Sequence, residues 1–156
     1  MIRRLTVADV GLLRRLRLAA LLDAPDAFAA THYREAGMTA DEWRSRITGA
    51  RAWFVADEIA LAAGQPSWTG VPGRHDLISM WVHPDHRGRG IAGALVGAVV
   101  DWARGEGAAE VELWVVDGNA AAARTYAKAG FAPTGGSQPL PSNPGLIERE
   151  WIRALT

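Results

Sequence analysis

Residues 83–95 read "HPDHRGRGIAGAL". Gly88, Gly90 and Gly93 stand at the spacing G-x-G-x-x-G, after a strand-like "DLISMWV" and ahead of an apolar pattern of helical period. A glycine-rich turn that opens a helix is built to hold an anion. The first backbone N–H groups of the helix have no partner, the helix dipole favours negative charge, and residues without a Cβ let the backbone approach an oxygen closely. The chemistry offered is phosphate binding, and two owners of the phosphate are to be weighed. A dinucleotide would use the glycines as a Rossmann turn, with Glu112 or Asp117, about twenty residues on, holding the ribose. Against this, the five residues "HPDHR" separate Val82, where the strand ends, from Gly88, and only 40 residues follow Val116, too few for a second mononucleotide-binding half. No Gly-Lys-Ser/Thr follows, so a P-loop does not fit.

Other residues could do chemistry with the bound group. Asn119 and Tyr126 are seven residues apart in a helical segment, so both project from one side and could touch one ligand. Asn119 can also be an N-cap, and Tyr126 reads either as a proton donor or as a core aromatic with a wet tip. His83, Asp85 and His86 suggest a metal cluster, but Pro84 interrupts them and no further ligand is evident, so a plain loop without metal is expected. There is no cysteine, hence no thiol nucleophile, thiolate metal site or disulfide framework.

The elements that must position these residues follow from pattern. Ile2 to Leu5 form a short strand; Thr6 with Asp9, and later Thr39 with Glu42, mark helix starts of the capping-box kind. The first helix is "VADVGLLRRLRLAALL", ended by "DAPDAF", and another covers 40–48. A hairpin of "AWFVADE" and "IALAAGQPSW" precedes the turn "TGVPGR" and the strand 76–82. The helix after the glycines places Ile91, Leu95, Val99 and Trp102 on one face, with small Ala92, Gly93 and Gly97 beside them. "AEVELWVV" is a strand, Asn119 to Ala129 a short helix closed by Gly130, and "PTGGSQPLPSNPG" a long loop between two final strands. Trp81, Trp102, Trp114 and Trp151 lie inside periodic segments and are expected in the core. The order is that of one mixed α/β domain over residues 1–156, with its most parallel-looking unit between 76 and 116.

Counted from Arg87, the same stretch reads R-x-x-G-x-A: Arg87, Gly88, Arg89, Gly90, Ile91, Ala92. With "VHP" before it and "GNAAAARTYAKAGF" after it, the chain resembles the GNAT superfamily of acetyl-CoA-dependent N-acetyltransferases, closely over 77–133 and in element order over 2–153. The resemblance implies a central mixed, mostly antiparallel sheet whose fourth and fifth strands splay, flanked by helices. It implies that the backbone from Arg87 to Gly93 holds the pyrophosphate of coenzyme A, with the Arg87 side chain adding charge and Arg89 either doing so or facing solvent. Met80, Trp81 and Val82 would pair with the pantetheine arm through their backbones, and the Val82 N–H would stabilise the oxyanion. Asn119 would bind the pantetheine region and Tyr126 would protonate the leaving thiolate. For the general base the resemblance points to Asp76, with His75, His83 and Glu112 as alternatives; Trp114 stands where other members carry a glutamate. The implied reaction is transfer of an acetyl group from acetyl-CoA to a primary amine, by direct attack in a ternary complex. The acceptor, a small-molecule or a peptide amine, would lie between "LLDAPDAFAATHY" and "SQPLPSNPG".

Composition bounds the rest. The chain is 49% hydrophobic and 22% charged, with 17 basic and 17 acidic residues, which gives no overall pull toward nucleic acid or an anionic membrane. The longest apolar run, Ile91 to Val100, is too short to span a bilayer, and the N-terminus lacks a signal-peptide core, so a cytoplasmic protein is expected. Sixteen of the 17 basic residues are arginine, read as the codon bias of a GC-rich, bacterial genome. A monomer and a homodimer are both compatible. A non-catalytic acyl-CoA sensor would keep the loop but have no use for Tyr126, and a nicotinamide oxidoreductase would bind NAD(H) instead of coenzyme A.

Overall fold

The computed structural model describes residues 1–155. Seven strands form one sheet: β1 (Ile2–Arg4), β2 (Ala52–Ala56), β3 (Ala60–Pro66), β4 (Arg74–Val82), β5 (Glu110–Val116), β6 (Ala132–Leu140) and β7 (Asn143–Ala154). Their order across the sheet is β1-β2-β3-β4-β5-β7-β6, and every neighbouring pair is antiparallel except β4 with β5. The helices are α1 (Val10–Asp23), α2 (His32–Ala36), α3 (Ala40–Thr48), α4 (Ile91–Gly105) and α5 (Ala120–Lys128).

Strand β2 shows why helices cover both faces. All five of its residues are buried; Ala52, Phe54 and Ala56 face α4, whereas Trp53 and Val55 face α1 and α3, as the two-residue period of a strand requires. Helix α4 buries Leu95, Val96, Val99, Val100 and Ala103 on the first face, and α1 buries Leu13, Leu16, Ala20 and Leu21 on the second. Gly64 on β3 lets α4 lie close, because a Cβ there would stand 2.6 Å from Cζ3 of Trp102. The Thr39–Glu42 capping box at the start of α3 is closed in both directions, at 3.2 Å each.

The feature that matters for function lies between β4 and β5. Their parallel pairing is confined to Arg74 with Glu110, His75 with Val111 and Asp76 with Glu112. Further along, β4 carries a bulge: Leu61 pairs with Trp81 and Ala63 with Ile78, so two steps on β3 face three on β4. Ser79, inside the bulge, has φ of +61°. A bulge bends and twists its strand, and beyond Asp76 and Glu112 the two strands part.

Three expectations are corrected. The segment "PTGGSQPLPSNPG" is not a loop: β6 and the start of β7 run through it, joined by a two-residue turn at Pro141 and Ser142. Its prolines and glycines are tolerated because β6 is an edge strand with a register shift between Pro133 and Ser137, where Gly135 has φ of +94°. The first helix is preceded by a separate 3₁₀ turn, Val7–Asp9, and the five-residue α2 follows it, too short to show a period. Trp114 is not a core residue, and the wholly buried tryptophans are Trp43 and Trp53. Among the described residues no helix is long and apolar enough to cross a membrane.

Candidate active site

A cavity of about 460 Å³ runs through the gap between β4 and β5. One end lies against the α4 and α5 side, lined by Gly88, Gly90, Gly93, Asn119 and Tyr126; the other reaches Ala24, Ala27, Phe28 and Trp114. The glycine turn forms the first end. Gly88 and Gly90 have φ of +76° and +79°, the left-handed region that glycine enters without strain. Gly90 caps α4, and the first helical bond at that end is Ala94 N–H to the Gly90 carbonyl at 3.1 Å, so the N–H groups before it are free for an anion. A Cβ on Gly88, Gly90 or Gly93 would meet nothing within 4 Å. The cradle is open, and the residues fit a diphosphate.

The two arginines of the motif differ in their surroundings. Nε of Arg87 donates to the Val82 carbonyl at 3.0 Å and its Nη2 pairs with Asp23, at the end of α1. Through these two nitrogens the guanidinium fastens the loop to the scaffold. Asp23 is held below the usual carboxylate range, first by Nε1 of Trp81 at 2.9 Å and then by Arg87. Arg89 is exposed, with only His86 beside it at 3.3 Å.

Val82 points its backbone into the gap. The next residue, His83, donates its N–H to the Ile59 carbonyl at 2.8 Å, so the alternation of a strand turns the Val82 N–H and carbonyl away from β3. The carbonyl takes Arg87, and the N–H faces the side on which β5 has drawn away. Met80, Trp81 and Val82 all line the cavity. Asn119 caps α5, accepting the Ala122 N–H at 3.2 Å, and also lines it. Tyr126 is 7% exposed and packs edge-on to Phe131 at 6.1 Å; burial pushes its phenol well above the usual tyrosine value, so it stays protonated.

The base candidates are dispersed. Asp76 does not line the cavity; its carboxylate turns toward β3, where Oδ2 accepts the Trp68 N–H at 2.8 Å and the Gln65 side chain at 3.2 Å. His75 packs on Trp102 with its centroid 5.3 Å away, and His83 accepts the Asp85 N–H at 3.1 Å; neither lines the cavity. Glu112 does not line the cavity either; it stands two residues before Trp114, which does, and whose Nε1 donates to its Oε1 at 2.9 Å. Arg74 reaches the other oxygen, also at 2.9 Å. Burial and the neighbouring Glu150 push Glu112 up to about 7, while hydrogen bonds from Glu112 and Thr134 keep Glu150 low. Phe28 lies in the segment expected beside the acceptor, whereas sequence reasoning missed Ser79 and put Trp114 in the core; the departure of Trp114 from the expected glutamate was the signal for the latter.

A model of the GNAT family of acetyltransferases matches residues 17–131. The chain belongs to this family. It is 31% identical over 111 residues to mycothiol acetyltransferase of Beutenbergia cavernae, across 67% of this chain and 37% of that protein. The chain spans well under half the length of the relatives it matches in sequence. Among solved structures, yncA from Salmonella typhimurium with its cofactor acetyl-CoA superposes with a TM-score of 0.78 at 21% identity, over 100% of this chain and 94% of that one. The ribosomal-protein-alanine N-acetyltransferase of Brucella melitensis gives 0.76 at 20%, over 99% of each chain. The mixed sheet with its single parallel pair is thus the GNAT fold.

Proposed function

We propose that this GNAT chain moves the acetyl group of acetyl-CoA to a primary amine by direct attack in a ternary complex. The observation that carries the reading is one cavity, open through the sheet, that brings the free N–H groups of the glycine turn, the unpaired Val82 N–H and the Tyr126 hydroxyl to one ligand. The turn from Arg87 to Gly93 takes the diphosphate through its backbone, and the edge of β4 at Met80 and Val82 takes the pantetheine arm, the backbone of Trp81 being turned to its partner Leu61 on β3. Val82 stabilises the charge that develops on the thioester oxygen. Glu112, tied to the acceptor end by Trp114, accepts the proton that a cationic amine must lose. The amine nitrogen then bonds to the carbonyl carbon as the carbon–sulfur bond breaks, and Tyr126 protonates the departing sulfur. A proton lost from nitrogen on collapse replaces the one that Tyr126 gave.

The acceptor seats between the segment around Phe28 and the β6–β7 turn, which Ser142 ties to the Phe28 carbonyl. A small-molecule amine and a peptide α-amine both suit an end lined by Ala24, Ala27, Phe28 and Trp114. Thermal shift with acetyl-CoA and with NAD(H) tests the cofactor: acetyl-CoA should raise the melting temperature, and a rise with NAD(H) alone would sink the proposal. Release of free coenzyme A over a panel of amino sugars, amino acids and peptides with N-terminal alanine then tests transfer. Binding without turnover above hydrolysis on any of them would favour an acyl-CoA sensor.

A further inference from the structure

The bulge that opens the cavity rests on a residue in an unfavourable conformation. Ser79 has φ of +61°, where a residue with a Cβ is strained by about 1 kcal/mol or more and persists only when its surroundings hold it. What holds it is Arg17 of α1, whose Nη1 donates to Ser79 Oγ at 3.2 Å. Arg17 is 6% exposed, and its Nε and Nη2 both pair with Glu35 of α2, at 2.9 and 3.2 Å; Glu35 is 2% exposed and also takes Nη1 of Arg46 from α3 at 2.9 Å. The same guanidinium lies over the ring of Phe28, its Cζ 4.9 Å from the centroid. Phe28 walls the acceptor end of the cavity, and Ser79 lies three residues before Val82.

Resting on the acetyltransferase reading above, we infer that Arg17 is a positioning residue: through Ser79 it fixes the bulge that aims the Val82 N–H at the thioester oxygen, and through Phe28 it sets the acceptor wall against that same point. A buried, bidentate arginine suits this task because its planar fork is held rigid by the carboxylate. The wall and the oxyanion donor then share one support, so the amine and the carbonyl carbon are registered against each other by a group that touches neither. A guanidinium serving only to neutralise Glu35 would have no need to reach β4.

The test uses the intact chain with carbonyl-labelled acetyl-CoA and isotope-edited infrared spectroscopy, which needs no acceptor. In the wild type, binding should lower the thioester carbonyl stretch, because the Val82 N–H polarises it. Ser79→Ala removes the acceptor oxygen but leaves the Arg17–Glu35 pair intact. It should bind acetyl-CoA within about twofold of wild type, lose most of that lowering, and turn over about tenfold more slowly, a fraction of the loss expected when an oxyanion donor is deleted outright. Ser79→Asn keeps a side-chain acceptor and tolerates the left-handed region, so it should recover both signals. A carbonyl stretch lowered equally in wild type and Ser79→Ala, or unmoved in both, overturns the inference. Failure of the wild type to bind acetyl-CoA at all would instead overturn the acetyltransferase reading.

Discussion

Tyr126 shows how burial selects a role for one side chain. It lines the cavity while its ring is packed against Phe131, and its raised pKa keeps the proton in place throughout the working pH range. Such a group can donate to a thiolate but will not act as a base at neutral pH. Tyr126→Phe keeps the packing and removes the donor. Turnover should fall by about ten- to a hundredfold, with the KM for acetyl-CoA and the melting temperature little changed. Steady-state kinetics decides the matter, and undiminished turnover would take Tyr126 out of the mechanism. That Asn119 and Tyr126 line one cavity could be read from sequence, because seven residues make two helical turns in any helix. Ser79 and Arg17 could not: a serine in mid-strand carries no mark of a left-handed φ, and the partners of Arg17, Glu35 and Ser79, are 18 and 62 residues away. Arg87 was placed in the right loop, yet its partner Asp23 is 64 residues away, a contact that only the folded chain makes.

At the level of elements, the local periods sufficed for α1, α3, α4 and the strands that flank the glycine turn, because each has a face to bury. They failed for β6, where Pro133, Gly135, Gly136 and Pro139 imitate a loop although the edge of a sheet accommodates them. The start of α4 allows stability and function to be separated. Gly93 and Gly97 are both helical and both open around the missing Cβ, but only Gly93 lines the cavity. Alanine at either position should stabilise the helix by about 0.5–1 kcal/mol, since glycine is the weaker helix former. If the turn cradles a diphosphate, Gly93→Ala should also weaken acetyl-CoA binding several-fold, whereas Gly97→Ala should leave it unchanged. Chemical denaturation paired with calorimetric titration reads both effects. Equal affinity in the two variants would move the diphosphate away from the first turn of α4.

For the molecule as a whole, the open face of β4, β5 and β7 concentrates charge that the neutral composition conceals. Glu110, Glu112 and Glu150 face one another there with Arg74 as the cation among them. A carboxyl whose pKa rises on folding binds more protons in the folded than in the unfolded state. Stability therefore falls as pH rises from the ordinary glutamate range through the folded value; for Glu112 that window runs from 4.5 to about 7. Activity should move the other way, because a base must first lose its proton, so turnover should climb through the same upper limit. Glu112→Gln mimics the neutral charge of the protonated form: its amide oxygen can still accept from Trp114, while its NH₂ takes the place of the oxygen that accepted from Arg74 and gives up that bond. Between pH 5 and pH 8 the variant should gain stability relative to the wild type on the order of 1 kcal/mol, and it should lose the rising limb of the pH–rate profile. Thermal denaturation at the two pH values, set beside the profile, tests both halves of the argument. A variant that gains stability at pH 8 but keeps the full rise in turnover would leave Glu112 a feature of the sheet and send the search for the base elsewhere on this face.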